Sequence, residues 1–193
     1  MVHRKEKGEN MKKMVQLAHD FLKEYTKPNA ICADFTMGNG HDTLLLCQLA
    51  KNGHVYAFDI QESAITKTKQ RLQEAGYEHV SLIHDTHAHL NKYIKEPFDI
   101  GIFNFGYLPN DNHHVTTTLT ETAPAIQSAF QQLRHHGYLI LVVYPGHAEG
   151  KKEAMYIQQW CEAQLVEQAS ILQIQMIQKQ SAPKLYLIEK LIG

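Results

Sequence analysis

Apolar residues recur along this chain in two rhythms. In "MVQLAHDFLKEY", residues 14–25, Met14, Leu17, Ala18, Phe21 and Leu22 fall at helical spacing and predict an opening helix. "AICADF" then reads as a short buried strand, "DTLLLCQLAK" as a helix and "HVYAFDI" as a second strand. "ESAITKTKQRLQEAG" predicts a helix that stops at Gly76. The strands "HVSLI" and "FDIGIFN" follow. "TAPAIQSAFQQLRHHG" predicts a helix with Thr122 as N-cap, Pro124 in its first turn and Gly137 after its end. "YLILVVY" is a strand and "GKKEAMYIQQWCEAQ" a helix. "ILQIQMIQ" and "KLYLIEKLI", separated by "KQSAP", predict a closing hairpin. No repeat or linker interrupts the pattern, so residues 1–193 read as a single domain.

Strands that alternate with helices and are apolar throughout predict an α/β fold, a parallel sheet with helices on both faces. Such sheets bind ligands beyond the carboxyl ends of their strands, near the point where strand order reverses. Those ends are polar and glycine-rich here. They carry "TMGNGHD", then Asp59, Ile60 and Gln61, then "HDTHAH", "NFGYLPNDNHH" and "PGHAEG".

The first of these ends decides the kind of ligand. A phosphate-cradling P-loop needs Lys and then Ser or Thr after the second glycine, and this chain has His41 and Asp42. A dinucleotide fingerprint needs a third glycine where Thr43 stands. An acid at the start of the following helix also disfavours a pyrophosphate. Gly38 and Gly40 allow close backbone approach, and Asp34 can meet a positive charge. Asp59, nineteen residues after Gly40, can take both hydroxyls of a ribose. A ribose, a cation and no phosphate point to S-adenosyl-L-methionine. Asn39, Asp42, Thr43 and Gln61 share these two strand ends and complete the expected cofactor pocket. The plainer alternative is a tight strand–helix turn with a surface acid.

Composition adds boundaries. Hydrophobic residues make up 44% and charged residues 20%, as in a globular protein, and no apolar run is long enough to span a membrane. The charged N-terminus has no apolar core behind it, so it does not read as a secretory signal. Three cysteines without CxxC spacing predict reduced thiols and a cytoplasmic location. A net charge of −1 gives no overall basic field, although a local patch would serve a nucleic acid. Lys12, Lys13, Lys23 and Lys27 offer such a patch or simply a solvated face.

"DFTMGNGHDT", "FDIQ", "NFGYLP" and "YPGHAEG" together resemble the bacterial class I methyltransferases once labelled ribosomal RNA methylases, better described as tRNA 5-(aminomethyl)-2-thiouridine methyltransferases. The resemblance runs from about residue 11 to the last strand. It implies a Rossmann-like, seven-stranded, mostly parallel sheet with a terminal antiparallel hairpin. It also implies S-adenosyl-L-methionine as methyl donor and the wobble uridine of tRNA, in the anticodon region, as substrate. The product would carry a 5-methylaminomethyl group. Asp85, after the third strand, would receive the adenine amino group. Phe105 stands where the family has a leucine before "GYLP", and the position stays apolar.

The chemistry needs a positioned amine. Methyl transfer from a sulfonium is an in-line displacement, so the protein mostly aligns donor and acceptor. "Asn104-Phe105-Gly106-Tyr107" resembles the Asn-Pro-Pro-Tyr segment of amine methyltransferases. By that resemblance Asn104 aims the amine lone pair beside the cofactor and Tyr107 packs on the substrate base. His147 is a candidate substrate contact or proton acceptor, with loop packing as the alternative. His84, His87 and His89 would converge only on an extended strand and have no further ligand nearby, so no metal is expected. His135 and His136 are expected to face solvent at a helix C-terminus. With no appended RNA-binding domain in the sequence, a homodimer is expected. A methyltransferase acting on ribosomal RNA or a small metabolite, and a non-catalytic nucleotide-binding module, remain as alternatives.

Overall fold

The computed structural model describes residues 13–105, 119–179 and 181–192. Seven strands form one sheet: β1 Ile31–Asp34, β2 His54–Asp59, β3 Val80–His84, β4 Phe98–Asn104, β5 Leu133–Val143, β6 Ala169–Ile174 and β7 Lys184–Lys190. The helices are α1 Met14–Tyr25, α2 His41–Leu49, α3 Glu62–Ala75, α4 Leu119–Gln132 and α5 Ala148–Glu162, with a 3-10 segment at His87–Lys92. Strand order is β3-β2-β1-β4-β5-β7-β6. The first five strands run parallel, while β7 pairs antiparallel with both β5 and β6. The expected terminal hairpin is therefore present.

Period-two alternation explains how this sheet buries both faces. Ile140 and Val142 of β5 face one core, where they meet Met14, Ala18 and Leu22 of α1, Leu46 of α2 and Leu72 of α3. Leu139, Leu141 and Val143 face the other, against Ile126 and Phe130 of α4 and Ile157 and Trp160 of α5. The second core is strongly aromatic. Phe35 stacks on Phe103 at 4.3 Å between ring centroids, and Phe103 stacks on Phe105 at 5.1 Å. Among the described residues no helix is long and apolar enough to cross a membrane.

Two sequence expectations need correction on the fourth helix. It ends at Gln132, and Leu133 already belongs to β5, paired with Phe98. The next pair is Tyr138 with Ile100, so residues 134–137 form a bulge opposite a single residue, Asp99. Arg134 reaches the Asp99 carboxylate at 3.0 Å. Gly137 lies so close to the Asp99 carbonyl that a Cβ would sit 2.8 Å from it. His136 has a left-handed φ of 57° and its ring meets Glu189 of β7 at 2.9 Å. Thus His135 and His136 sit in a strand bulge and not at a helix C-terminus. Thr122 is not an N-cap either: it is buried inside α4 and its hydroxyl donates to Glu153 of α5 at 2.7 Å. Pro124 accordingly sits inside the helix, beyond its first turn.

Candidate active site

Strand order reverses between β1 and β4, so the loops leaving these two strands part to opposite faces. A cavity of about 720 Å³ opens there, within the range of small-molecule sites. All five parallel strands contribute to its wall through the residues that follow them.

The loop after β1 is set by Asp34 from behind. Asp34 is fully buried and does not line the cavity. Its carboxyl accepts the Thr43 hydroxyl at 2.6 Å and the Thr36 N–H at 3.1 Å, which clamps the loop to the first turn of α2. Burial, and then the charge of Asp42, push its pKa up to about 8. Asp34 therefore meets hydroxyl and amide donors, not the cation its position suggested. Gly38 and Gly40 have φ of 49° and 75°. A Cβ on Gly40 would also lie 2.6 Å from the Thr68 hydroxyl of α3, so the loop can pass here only as glycine. Thr43 and Gly40 support the loop from within, while Gly38 and Asn39 face the cavity.

Asp59 ends β2 and lines the cavity. One carboxylate oxygen accepts the Gly38 N–H and the other the Gln61 N–H, each at 2.9 Å. Both oxygens are thereby fixed, and each keeps a further lone pair for a ligand hydroxyl. Burial raises its pKa, opposed by the N–H groups of Gln61, Gly38 and Ile60. Gln61 lines the cavity beside it.

Asp85 lies beyond β3 on the same wall. It accepts from the Thr86 N–H at 2.8 Å, from His89 Nδ1 at 2.9 Å and from the Tyr93 hydroxyl at 2.8 Å. Burial works against its charge, but these bonds outweigh it and draw the pKa down to about 2. Asp85 is thus a firmly ionised acceptor.

Asn104 ends β4. Its N–H donates to the Thr36 hydroxyl at 2.7 Å, and its side-chain NH2 points to Asp42 Oδ2 at 3.4 Å. A carboxylate only accepts, so Asp42 orients the amide and leaves the Asn104 carbonyl oxygen for the cavity. Asp42 is held in turn by His19 of α1, 2.5 Å from its other oxygen. Tyr107 lies outside the described residues, as do Lys12 and the rest of the "GYLPNDNHH" segment.

His147 is the N-cap of α5, and its Nδ1 accepts the Gly150 N–H at 3.1 Å. A neutral ring that accepts at Nδ1 carries its hydrogen on Nε2. His147 therefore presents a donor, not a proton acceptor, to whatever lies beside that nitrogen.

His84, His87 and His89 diverge. His84 contacts the Ile60 carbonyl at 3.0 Å, His87 the Phe35 carbonyl at 3.1 Å and His89 the Asp85 carboxylate. Among the described residues no group of three His, Cys, Asp or Glu could hold a metal ion. His19, Thr36, His87, Glu121 and Tyr144 also line the cavity and were not anticipated there. Thr36 sits inside the quoted loop motif, so its position was readable. His87 and Tyr144 also fall in quoted segments, "HDTHAH" and "YPGHAEG", whereas His19 and Glu121 reach the site from helices that only the tertiary fold brings there.

Comparison with known proteins decides the family. Residues 55–190 match the family described as "Putative rRNA methylase". The chain belongs to this family of RNA methylases. It is 30% identical over 191 residues to an Arabidopsis thaliana protein named tRNA (mnm(5)s(2)U34)-methyltransferase, chloroplastic, covering 93% of this chain and 70% of that one. Its fold matches a crystal structure described as a "putative rRNA-methylase" from Clostridium thermocellum with a TM-score of 0.90 at 31% identity, covering 94% of this chain and 99% of that one. A Streptococcus mutans protein described as "a putative methyltransferase" and solved in complex with SAH matches with a TM-score of 0.85 at 36% identity, over 94% and 99% of the two chains. The enzyme is a class I methyltransferase that uses S-adenosylmethionine. Its own residues fit that cofactor: a tight glycine loop, an acid fixed by two backbone N–H groups, and an acid at the start of α2 where a phosphate would be repelled.

Proposed function

We propose that this enzyme N-methylates the 5-aminomethyl group of 5-aminomethyl-2-thiouridine at the tRNA wobble position, giving 5-methylaminomethyl-2-thiouridine. The observation that carries this reading is the fixed amide of Asn104. Its NH2 is turned to Asp42, so its carbonyl oxygen is an acceptor at the cavity, suited to an N–H of an amine. The name and 30% identity of the plant relative support the same substrate.

The cofactor supplies an electrophilic methyl group on a sulfonium. Asp59 receives the ribose hydroxyls, and Asp85 the adenine amino group. Gly38 and Asn39 let the backbone approach the cofactor, and Gln61 completes that wall. Asp34, Gly40 and Thr43 act indirectly by fixing the loop. Asp42 orients Asn104, and Asn104 aims the amine lone pair. Tyr107 packs on the substrate base. His147 serves as a hydrogen-bond donor to the substrate.

The partner is the anticodon region of tRNA, and Lys13, Lys23 and Lys27 are exposed near α1 to meet its backbone. Leu172, Met176 and Ile177 are exposed on and beside the edge strand β6, which supports a homodimer. Three free cysteines, two of them buried, support a cytoplasmic enzyme. The family's description favours a second reading, methylation of ribosomal RNA.

Purified enzyme with S-adenosylmethionine should methylate tRNA carrying 5-aminomethyl-2-thiouridine and leave tRNA lacking the amine unmodified. Equal methyl incorporation into unmodified tRNA would sink the aminomethyl reading. Methyl groups appearing instead in ribosomal RNA would establish the alternative.

A further inference from the structure

His87 begins the 3-10 segment after β3, is buried and lines the cavity. Its Nδ1 lies 3.1 Å from the Phe35 carbonyl. A carbonyl only accepts, so Nδ1 carries the hydrogen and Nε2 of the neutral ring holds a lone pair. That Nε2 is buried and has no hydrogen-bond partner. A buried acceptor left unsatisfied is costly, and buried polar atoms almost always find a partner.

The atom is also held in register with Asn104. The Phe35 carbonyl fixes His87, and the hydroxyl of the next residue, Thr36, fixes the Asn104 N–H at 2.7 Å. The His87 ring packs edge-on against Phe103, the residue before Asn104, at 5.5 Å between centroids. Two acceptors are thus hung from two consecutive residues of the β1 loop, on side chains that both line one cavity, with the His87 Nε2 just beneath its surface.

We propose that His87 is a catalytic residue of the acceptor site, whose Nε2 takes one N–H of the substrate's primary amine while the Asn104 carbonyl oxygen takes the other. This rests on the amine reading given above. A neutral primary amine has two N–H groups and one lone pair. Two fixed acceptors engage both hydrogens and leave the lone pair a single direction, toward the methyl. The nitrogen lone pair forms the new N–C bond, and the C–S bond breaks with its electron pair going to sulfur. Nitrogen gains positive charge and keeps both hydrogens, so both hydrogen bonds become charge-assisted as the reaction proceeds. The resulting ammonium later loses its extra proton to solvent. Glu121 of α4 also lines the cavity, and its negative charge favours the developing cation. Burial lowers the His87 pKa, against the Phe35 hydrogen bond and Glu121, and so preserves the lone pair.

The test uses aminomethylated tRNA under single-turnover conditions with saturating S-adenosylmethionine. His87→Asn keeps a donor at the Nδ1 position for Phe35 and loses the outer acceptor. His87→Gln carries an amide oxygen to about the Nε2 position. His87→Asn should slow methyl transfer about 50-fold or more, with cofactor affinity within about twofold of the parent, and His87→Gln should recover most of the loss. If His87→Asn turns over at the parent rate, or His87→Gln is as slow as His87→Asn, the assignment is overturned. A parent enzyme inactive on this tRNA refutes the amine reading and the assignment with it. Nitrogen NMR of the parent guards against misfolded variants. The His87 Nε2 resonance, in the presence of S-adenosylhomocysteine, should move when an aminomethylated anticodon stem-loop is added and stay put when the loop lacks the amine. An unmoved resonance overturns the assignment on its own.

Discussion

His19 on α1 holds Asp42 on α2 at 2.5 Å, and the other oxygen of Asp42 faces the Asn104 amide on β4. Three elements distant in sequence therefore control one side-chain orientation. His19→Ala leaves a buried carboxylate without its main partner, which costs about 1–3 kcal/mol in stability. It also frees the Asn104 amide to turn. Denaturation curves and single-turnover rates should both report the loss. Unchanged values in both would make the contact incidental.

Asp59→Ala should weaken cofactor binding by about 2 kcal/mol or more, because the two hydrogen bonds proposed from the ribose to this carboxylate would disappear. The Gly38 N–H also loses its partner, so the loop should loosen as well. Titration calorimetry with S-adenosylmethionine is the direct measurement. A folded variant with parent affinity would move the ribose elsewhere.

Asn104→Ala should separate binding from catalysis. The proposed contact with the amine would strengthen only as nitrogen acquires charge, so cofactor affinity should stay near that of the parent. The rate of methyl transfer should fall by roughly 2–4 kcal/mol of transition-state stabilisation. Tyr107→Phe should be mild and Tyr107→Ala severe, since the ring and not the hydroxyl is proposed to pack on the base.

Asp34 makes stability depend on pH with an unusual sign. Its folded pKa of about 8 lies above the ordinary 3.8, so the folded state binds the proton more tightly. The stabilisation is complete below about pH 4 and is lost as pH rises through about 8. Asp34→Asn stays neutral throughout and should flatten this part of the curve. Melting temperatures of parent and variant, compared from pH 5 to pH 9, should diverge toward the alkaline end in favour of the variant. Parallel curves would refute the raised pKa.

Gly40→Ala meets two obstacles together, a left-handed φ of 75° and a Cβ 2.6 Å from the Thr68 hydroxyl. The strain alone costs about 1–2 kcal/mol, and the clash adds to it. Gly40→Ala/Thr68→Ser, which trims a methyl group at the contact, should recover part of the loss. A single variant as stable as the parent would show that the loop relaxes freely.

The strands were largely legible because burial on both faces makes them continuously apolar. "FDIGIFN" coincides with β4, and "MVQLAHDFLKEY" coincides with α1. The cavity wall was legible where a polar residue ends or follows a strand, as at Asp59, Asp85 and Asn104. The boundary at Leu133 was not, because "QQLRHH" favours a helix locally and only pairing with Phe98 makes it a strand. Asp34 shows another limit: its place in the motif was visible, but whether it faces ligand or Thr43 depends on the α2 docking angle. His19 and Glu121 carry no local signal at all. They matter because α1 and α4, packed on opposite faces of the sheet, each bring a side chain to the cavity wall.

Strand β7 lies between β5 and β6, although it comes last of the three in the chain. During synthesis β6 therefore leaves the ribosome with no neighbour to pair with. Its apolar Ile171 and Leu172 await Ile188 and Leu187, their eventual partners. Until Lys184–Lys190 emerges, the nascent chain exposes the open edge of β5 and a β6 segment with no partner on either side. A stall or premature stop in that interval would release a protein with its cofactor loops already made and its sheet still open, a natural client for chaperones.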